Sequence, residues 1–356
     1  MRASRKVGTG LIVLFLSTLG CSYIWSLVGL LLHHRQELTE TDLPPTYRIP
    51  QQQLLPYNSS AYRKPRLQRF VQGWNITGNV SWLLDFAIVG FPKAGTSTLM
   101  LYLENQTQSV HIFHHERCEM GWNQHVPLLV DLHRFYQPHL RMGIKCPRDL
   151  EVDVALANYN KYFRTTKFIV GIRHPILWFQ SFYNFRVTND FPMPPATKLI
   201  GRCKKSNQGV CTVRANFSQH LAKIEPWRRV FLYEVSQLQD PDPRRAKQFL
   251  NDLHDFLELN SPLTDPMIWV KPGQSPVSAE HARELDQSKI NICDNEYSSL
   301  RTILGQQASQ SAKWIQNVFL ANPNVKVSSP DHFAHVLDTW HTDPCSAMTT
   351  GSTSGK

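Results

Sequence analysis

The stretch Phe86–Glu104, FAIVGFPKAGTSTLMLYLE, decides how the rest of the chain is read. FAIVG is an apolar run of the length and composition of a buried strand. A Gly-rich turn follows, and STLMLYLE then carries apolar residues at helical spacing. A strand, loop and helix in this order present backbone N–H groups and the positive end of a helix to an anion.

The spacing says which anion. A nucleoside-triphosphate loop reads G-x-x-x-x-G-K-[ST], with its lysine on the β- and γ-phosphates and its hydroxyl on magnesium. Gly90 and Gly95 keep the glycine spacing and Ser97 keeps the hydroxyl, but Thr96 stands where the lysine belongs. The lysine lies three residues earlier, at Lys93. Such a loop suits a group with less charge to neutralise than magnesium triphosphate, such as a 5′-phosphosulfate.

Outward from the loop, strand-like and helix-like segments alternate. SVHIF, HLRMGIKCP, KFIVGIR and RVFLYEVSQL read as strands; LEVDVALANYNKYF, ILWFQSFYNFR and PRRAKQFLNDLHDFLEL read as helices. Near the C-terminus EYSSLRTIL and SAKWIQNVFL are helical stretches in less regular surroundings. This alternation predicts an α/β fold: a P-loop-containing parallel β-sheet flanked by helices on both faces.

The N-terminus predicts one transmembrane helix before that fold. Residues 10–32, GLIVLFLSTLGCSYIWSLVGLLL, carry no charge. As a helix they would extend roughly 34 Å, enough to cross a bilayer. Arg2, Arg5 and Lys6 keep residues 1–9 cytoplasmic by the positive-inside rule, which puts everything after His33 in a lumen or outside the cell. Residues 33–80 are polar and Pro/Gln-rich and read as a stem, 81–346 as the luminal catalytic domain, and 347–356 as a flexible tail.

Sequons at Asn58, Asn75, Asn79, Asn105 and Asn216 are glycosylation candidates in that setting. Six cysteines follow the anchor. Cys203 and Cys211 enclose the short polar loop KKSNQGV and are expected to pair. No Cys/His spacing suggests zinc. The formal net charge of +10, from Lys+Arg 38 against Asp+Glu 28, suits an anionic partner.

GFPKAGTSTL resembles the 5′-phosphosulfate loop, P-K-x-G-T-[ST]-x-L, of sulfotransferases that use 3′-phosphoadenosine-5′-phosphosulfate (PAPS). The resemblance implies that Lys93 is the catalytic lysine and that Pro92, Ala94, Gly95, Thr96, Ser97 and Thr98 complete the cradle. FIVGIRHPILWFQSFYN has the family's arginine at a strand end with a serine eight residues on, which assigns Arg173 and Ser181 to the 3′-phosphate. GIKCP is similar to the G-x-K-x-P segment of Golgi glycan sulfotransferases and recommends Lys145; VFLYEVSQL resembles the family's R-Y-E-D-L strand and gives Glu234 a supporting place. The family's basic run near the C-terminus has no clean counterpart, VKPGQS around Lys271 being a poor substitute.

For the base the sequence offers HIFHHERCEM. Resemblance to the glycan members, whose glutamate lies a short loop after this strand, favours Glu116, with His115 or His114 as the histidine alternative of cytosolic members and Glu119 third. By resemblance the chain is a type II Golgi-membrane enzyme transferring sulfate from PAPS to a glycan hydroxyl. It needs no metal, is held by its N-terminal helix and takes no nucleic acid. The competing readings are an NTP-dependent P-loop kinase, opposed by the missing lysine and the lack of a Walker B carboxylate, and a non-catalytic membrane glycoprotein that retains the fold.

Overall fold

A computed structural model describes residues 64–189, 191, 193–199, 217–264, 267 and 287–346. From Pro65 onward they belong to one compact unit. The expected anchor at 10–32, the tail at 347–356, Asn58, Asn216, Cys203, Cys211 and Lys271 lie outside the described residues. Among the described residues no helix is long and apolar enough to cross a membrane.

A small hairpin comes first, β1 (Val71–Gln72) against β2 (Asn75–Ile76). The main sheet holds β3 (Phe86–Val89), β4 (Val110–Ile112), β5 (Arg141–Cys146), β6 (Lys167–Ile172), β7 (Val230–Glu234) and β8 (Val325–Lys326). All neighbours pair in parallel, in the order β4-β5-β3-β6-β7-β8. Among the described residues the helices are α1 (Thr96–Glu104), α2 (His125–Phe135), α3 (Asp153–Tyr162), α4 (Pro175–Thr188), α5 (Phe217–Leu221), α6 (Pro243–Leu257), α7 (Ser298–Trp314) and α8 (Pro330–Asp338).

Strand side chains alternate between two cores, as the period of two requires. Phe86 and Ile88 of β3 pack with Phe231 and Tyr233 of β7 under α1 and α6. Ala87 and Val89 join Val170 and Leu232 on the opposite face, under α2, α3, α4, α7 and α8. A parallel sheet buried on both sides is therefore apolar along the middle of its strands, which explains runs such as FAIV and VFLY, with charged residues only at strand starts and ends. Helix α6 shows the complementary pattern. Phe249, Leu250, Leu253, Phe256 and Leu257 make one buried stripe, and Asp242 caps the start by accepting the Arg244 N–H at 2.9 Å.

Three regions differ from expectation. Packing starts before residue 81: Leu67, Phe70, Val71 and Ile76 lie against the core, too few and too irregularly spaced to show a period. The two C-terminal helical stretches are one helix, α7, which passes into a π-helical turn at Ile315–Phe319. Of the residues joining them, 305–310, only Ala308 is buried, a small side chain that gives little hydrophobic signal. Helices α2, α5 and α8, strand β8 and the β1–β2 hairpin lie outside the segments read from the sequence. The disulfide Cys293–Cys345 ties the segment before α7 to the one after α8, beside an Arg301–Asp343 ion pair at 2.9 Å.

Candidate functional site

Parallel strands with crossover helices bring the strand-to-helix loops to one edge of the sheet, and the loop at residues 90–95 occupies its centre between β5 and β6. Gly95 has φ +80° and starts α1 with no side-chain cap. A Cβ there would lie 2.3 Å from Leu238 Cδ1, so both conformation and space demand glycine. The first N–H groups of α1, at Thr96, Ser97 and Thr98, have no intrahelical partner by helix geometry and open onto the loop.

Three successive loop carbonyls are tied back from behind. Trp178 Nε1 donates to Pro92 O at 2.7 Å, Arg173 Nη1 to Lys93 O at 3.3 Å and the Tyr233 hydroxyl to Ala94 O at 3.0 Å. Within the loop the Gly90 N–H donates to Pro147 O at 3.1 Å and the Ala94 N–H to Phe91 O at 3.2 Å, so the N–H groups left for an anion are chiefly those that start α1. Lys93 itself has φ +68°, a conformation unfavourable for a residue with a Cβ. Strain of this kind persists where surrounding contacts over-determine it, and the carbonyl ties are such contacts.

The lysine's ammonium lies over the Phe185 ring of α4, 4.5 Å from its centre. Burial, and then the charges of Arg173 and Lys145, push the Lys93 pKa below the usual lysine value. Arg173, at the exit of β6, is likewise lowered by burial. It is steadied by the nearby carboxylate of Glu234, which is 4 % exposed at the end of β7. Glu234 also accepts from the Ser236 N–H at 2.8 Å and from the Ser236 hydroxyl, closing the turn that follows. Ser181 is half-buried on α4, which begins two residues after Arg173. Between them His174 caps α4, its Nδ1 accepting the Ile176 N–H at 3.3 Å; burial lowers its pKa to about 4 and keeps it neutral.

The second half of the site comes from β4 and β5. Lys145 is 3 % exposed, and its ammonium donates to Ser97 Oγ and to Glu116 Oε1, each at 2.8 Å. An ammonium has three N–H donors, so one remains. Glu116 is exposed on the loop after β4. The loop is anchored on both sides of Arg117: the Arg117 N–H donates to Lys145 O at 2.8 Å, and Cys118 is disulfide-bonded to Cys146. That disulfide joins the position two after Glu116 to the one directly after Lys145.

The other base candidates are engaged elsewhere. His114 bonds to Glu104 at the end of α1, at 2.8 and 2.9 Å. Glu119 accepts from Arg117 Nε at 2.6 Å. His115 is exposed, and its pKa is lowered, first by partial burial of the ring and then by Arg117. Asn75, Asn79 and Asn105 are exposed, with Asn79 Oδ1 accepting from the Ser81 N–H and hydroxyl of its own sequon.

Beneath the loop lies Asp149, fully buried, accepting from the Tyr159 hydroxyl at 3.0 Å. Burial pushes its pKa up to about 7. One of its oxygens lies within 4.8 Å of both sulfurs of Cys118 and Cys146, but those sulfurs are bonded to each other and do not offer a metal a ligand.

The structure thus joins Ser97, Lys145 and Glu116 in one hydrogen-bonded chain, and Lys93 with Arg173 at the loop. Sequence reading missed the ties from Trp178 and Tyr233, the aromatic seat at Phe185, and the disulfide. Only the last had a visible signal, a cysteine close beside each of Glu116 and Lys145.

No known family profile matches the chain, and no curated protein matches it in sequence. Among solved structures it is similar to a sulfotransferase from Alicyclobacillus acidocaldarius, at 14% identity and a TM-score of 0.44, over 65% of this chain and 96% of that one. A likeness at this level carries no argument about chemistry.

Proposed function

We propose that this chain transfers a sulfuryl group from PAPS to a glycan hydroxyl, as a type II protein of the Golgi membrane. The observation that carries the reading is the convergence of three cations, Lys93, Arg173 and Lys145, on a loop that ends in the unpaired first N–H groups of α1, with one exposed carboxylate bonded to Lys145. Clustered positive charges oppose one another, and an anion among them relieves the opposition. Thr96 in place of a lysine and the absence of a Walker B carboxylate after β6, where Arg173 stands, disfavour a magnesium triphosphate.

PAPS would supply an activated sulfuryl group with a good leaving group. Thr96, Ser97 and Thr98 hold its 5′-phosphate through backbone N–H groups and hydroxyls. Arg173, with Ser181, holds the 3′-phosphate; a planar guanidinium suits that bidentate contact. Lys93 stabilises the charge that grows on the leaving oxygen as the S–O bond breaks. Lys145 spends its third N–H on the transferred group and keeps Glu116 turned towards it. Glu116 takes the proton of the acceptor hydroxyl as its oxygen bonds to sulfur. Residue Lys145 therefore couples both ends of an in-line transfer.

The test is incubation of the full-length protein with labelled PAPS and a panel of glycans, alongside PAP binding with and without EDTA. Label should pass to a glycan, and PAP should bind equally in both conditions. Arg173→Ala should weaken PAP much more than a nucleotide lacking the 3′-phosphate. Binding that needs magnesium, or an equal loss for both nucleotides, refutes the reading. An NTP kinase would instead be protected by magnesium ATP and not by PAP.

A further inference from the structure

Trp122 is 60 % exposed, yet the backbone beneath it is tightly held. It ends the short turn Glu119–Trp122, stopped by Asn123 in the left-handed region at φ +57°. Met120 in the same turn is fully buried. Asn158 Nδ2 donates to Met120 O at 2.8 Å and to Asn123 Oδ1 at 2.9 Å, and the Gln124 N–H closes on Glu119 O at 2.9 Å. The preceding residue, Cys118, is bonded to Cys146. The indole is exposed on a fixed support, not on a loose loop.

The Arg148 guanidinium lies over this indole, 4.4 Å from the ring centre. Its charge also acts on the neighbouring buried Asp149, whose pKa it lowers against the effect of burial. Arg148 follows Lys145 by three residues, so their Cα atoms are at most about 11 Å apart. Trp122 follows Glu116 by six on the segment that the disulfide clamps to the end of β5. The indole–guanidinium pair therefore stands on the same two strand exits that deliver the Lys145–Glu116 pair, within the reach of a short oligosaccharide.

A pyranose ring has an apolar C–H face and a polar rim, and an exposed planar indole matches that face. A guanidinium matches a carboxylate bidentately. We propose that Trp122 and Arg148 form a shelf for a uronate unit of the acceptor, next to the unit whose hydroxyl meets Glu116. This rests on the sulfuryl-transfer reading for its location and names the acceptor class: a carboxylated glycan. The net charge of +10 favours the same partner.

The probes are tetrasaccharides of glucuronate, galacturonate and mannuronate, each beside its carboxyl-reduced counterpart, titrated calorimetrically into the full-length protein. At least one should bind roughly tenfold or more tighter than its reduced form, the size of a charge-assisted contact. Arg148→Ala should abolish that preference, Arg148→Lys should keep part of it, and Trp122→Ala should weaken both forms. PAP affinity should be unchanged in all three variants. In turnover, Trp122→Ala should raise the acceptor KM and leave kcat alone. Equal binding of charged and reduced forms by the native protein, or variants that bind like the native protein, overturns the shelf. If the binding pattern appears but no sulfate is transferred, the shelf stands and the sulfuryl reading falls. If sulfate is transferred with the KM unmoved by Trp122→Ala, the reverse holds.

Discussion

The two ends of the central sheet both carry clustered cations, and they treat them in opposite ways. At the end where the strands start, Glu258 accepts from Arg229 at 2.6 Å and from Lys167 at 3.0 Å, and lies 3.7 Å from Arg141. Asp85 takes a further contact from Arg141 at 3.2 Å. Hydrogen bonds from Arg229 and then Lys167 pull the Glu258 pKa down to about 2. At the other end Lys93 and Arg173 have pKa values lowered first by burial, as Lys167 has in the first cluster; the difference is that, among the described residues, neither Lys93 nor Arg173 makes an ion pair with a carboxylate. The first cluster is complete by itself. On the proposed reading the second is completed by a bound anion, and perturbed groups of this kind are where chemistry is sought.

That contrast breaks most sharply at the loop. Lys93→Ala should lower PAPS-dependent turnover by about 10²–10³, the usual cost of one preorganised group acting on developing charge. Glu116→Gln should cost roughly 10²–10⁴ while PAP binds normally. Lys93→Ala should leave the melting temperature unchanged, and Glu116→Gln should lower it little, because the glutamine keeps an acceptor for the buried Lys145 ammonium. A Glu116→Gln enzyme that keeps its activity while His115→Ala or His114→Ala loses it would move the base to a histidine. Lys93 adds a pH signature. Bound PAP favours the charged lysine, so affinity should fall at alkaline pH as the free protein's depressed pKa is passed, and Lys93→Ala should flatten the alkaline limb.

How much of this was legible in the chain follows from how each element carries its signal. The strands around the loop are buried on both faces, so their sequences are continuously apolar and could be read directly. Lys93, Arg173 and Lys145 sit in short local patterns, and the structure places them at one edge of the sheet. What could not be read depends on long-range geometry. Trp178 and Tyr233 reach the loop carbonyls from 86 and 139 residues away, and nothing near either one announces it. The pairing of Cys118 with Cys146 needs β4 and β5 to be neighbours, a fact of sheet order. Helix α7 reads as two stretches because the residues between them, 305–310, bury only Ala308.

Asp149 sharpens the comparison from below the site. Its carboxyl has a pKa of about 7 in the fold against 3.8 as the ordinary value. The native state thus holds a proton that the unfolded chain gives up between about pH 4 and 7. Stability should fall across that window as pH rises, by at most about 4 kcal/mol at 1.36 kcal/mol per unit, and level off above it. Asp149→Asn keeps an acceptor for Tyr159 and cannot ionise. Denaturant unfolding of the two proteins at pH 4.5 and pH 8 should give a slope for the native chain and a smaller one for the variant. Parallel lines would show that Asp149 is ionised in the fold.

The smallest effect is expected at the self-contained cluster. Glu258→Gln keeps the long side chain at φ +57° but removes the charge that three cations share. Glu258 is 51% exposed, so solvent screens these pairs and the loss should be about 1 kcal/mol, smaller still in high salt. The folded pKa lies below the unfolded one, at about 2 against 4.5. The native advantage over Glu258→Gln should therefore be complete above about pH 5 and should vanish as pH falls towards 2. Turnover should not change, because Glu258 stands at the opposite end of the sheet from Lys93. A Glu258→Gln protein with native stability and impaired sulfate transfer would invert the contrast, making the starting end of the strands the functional one.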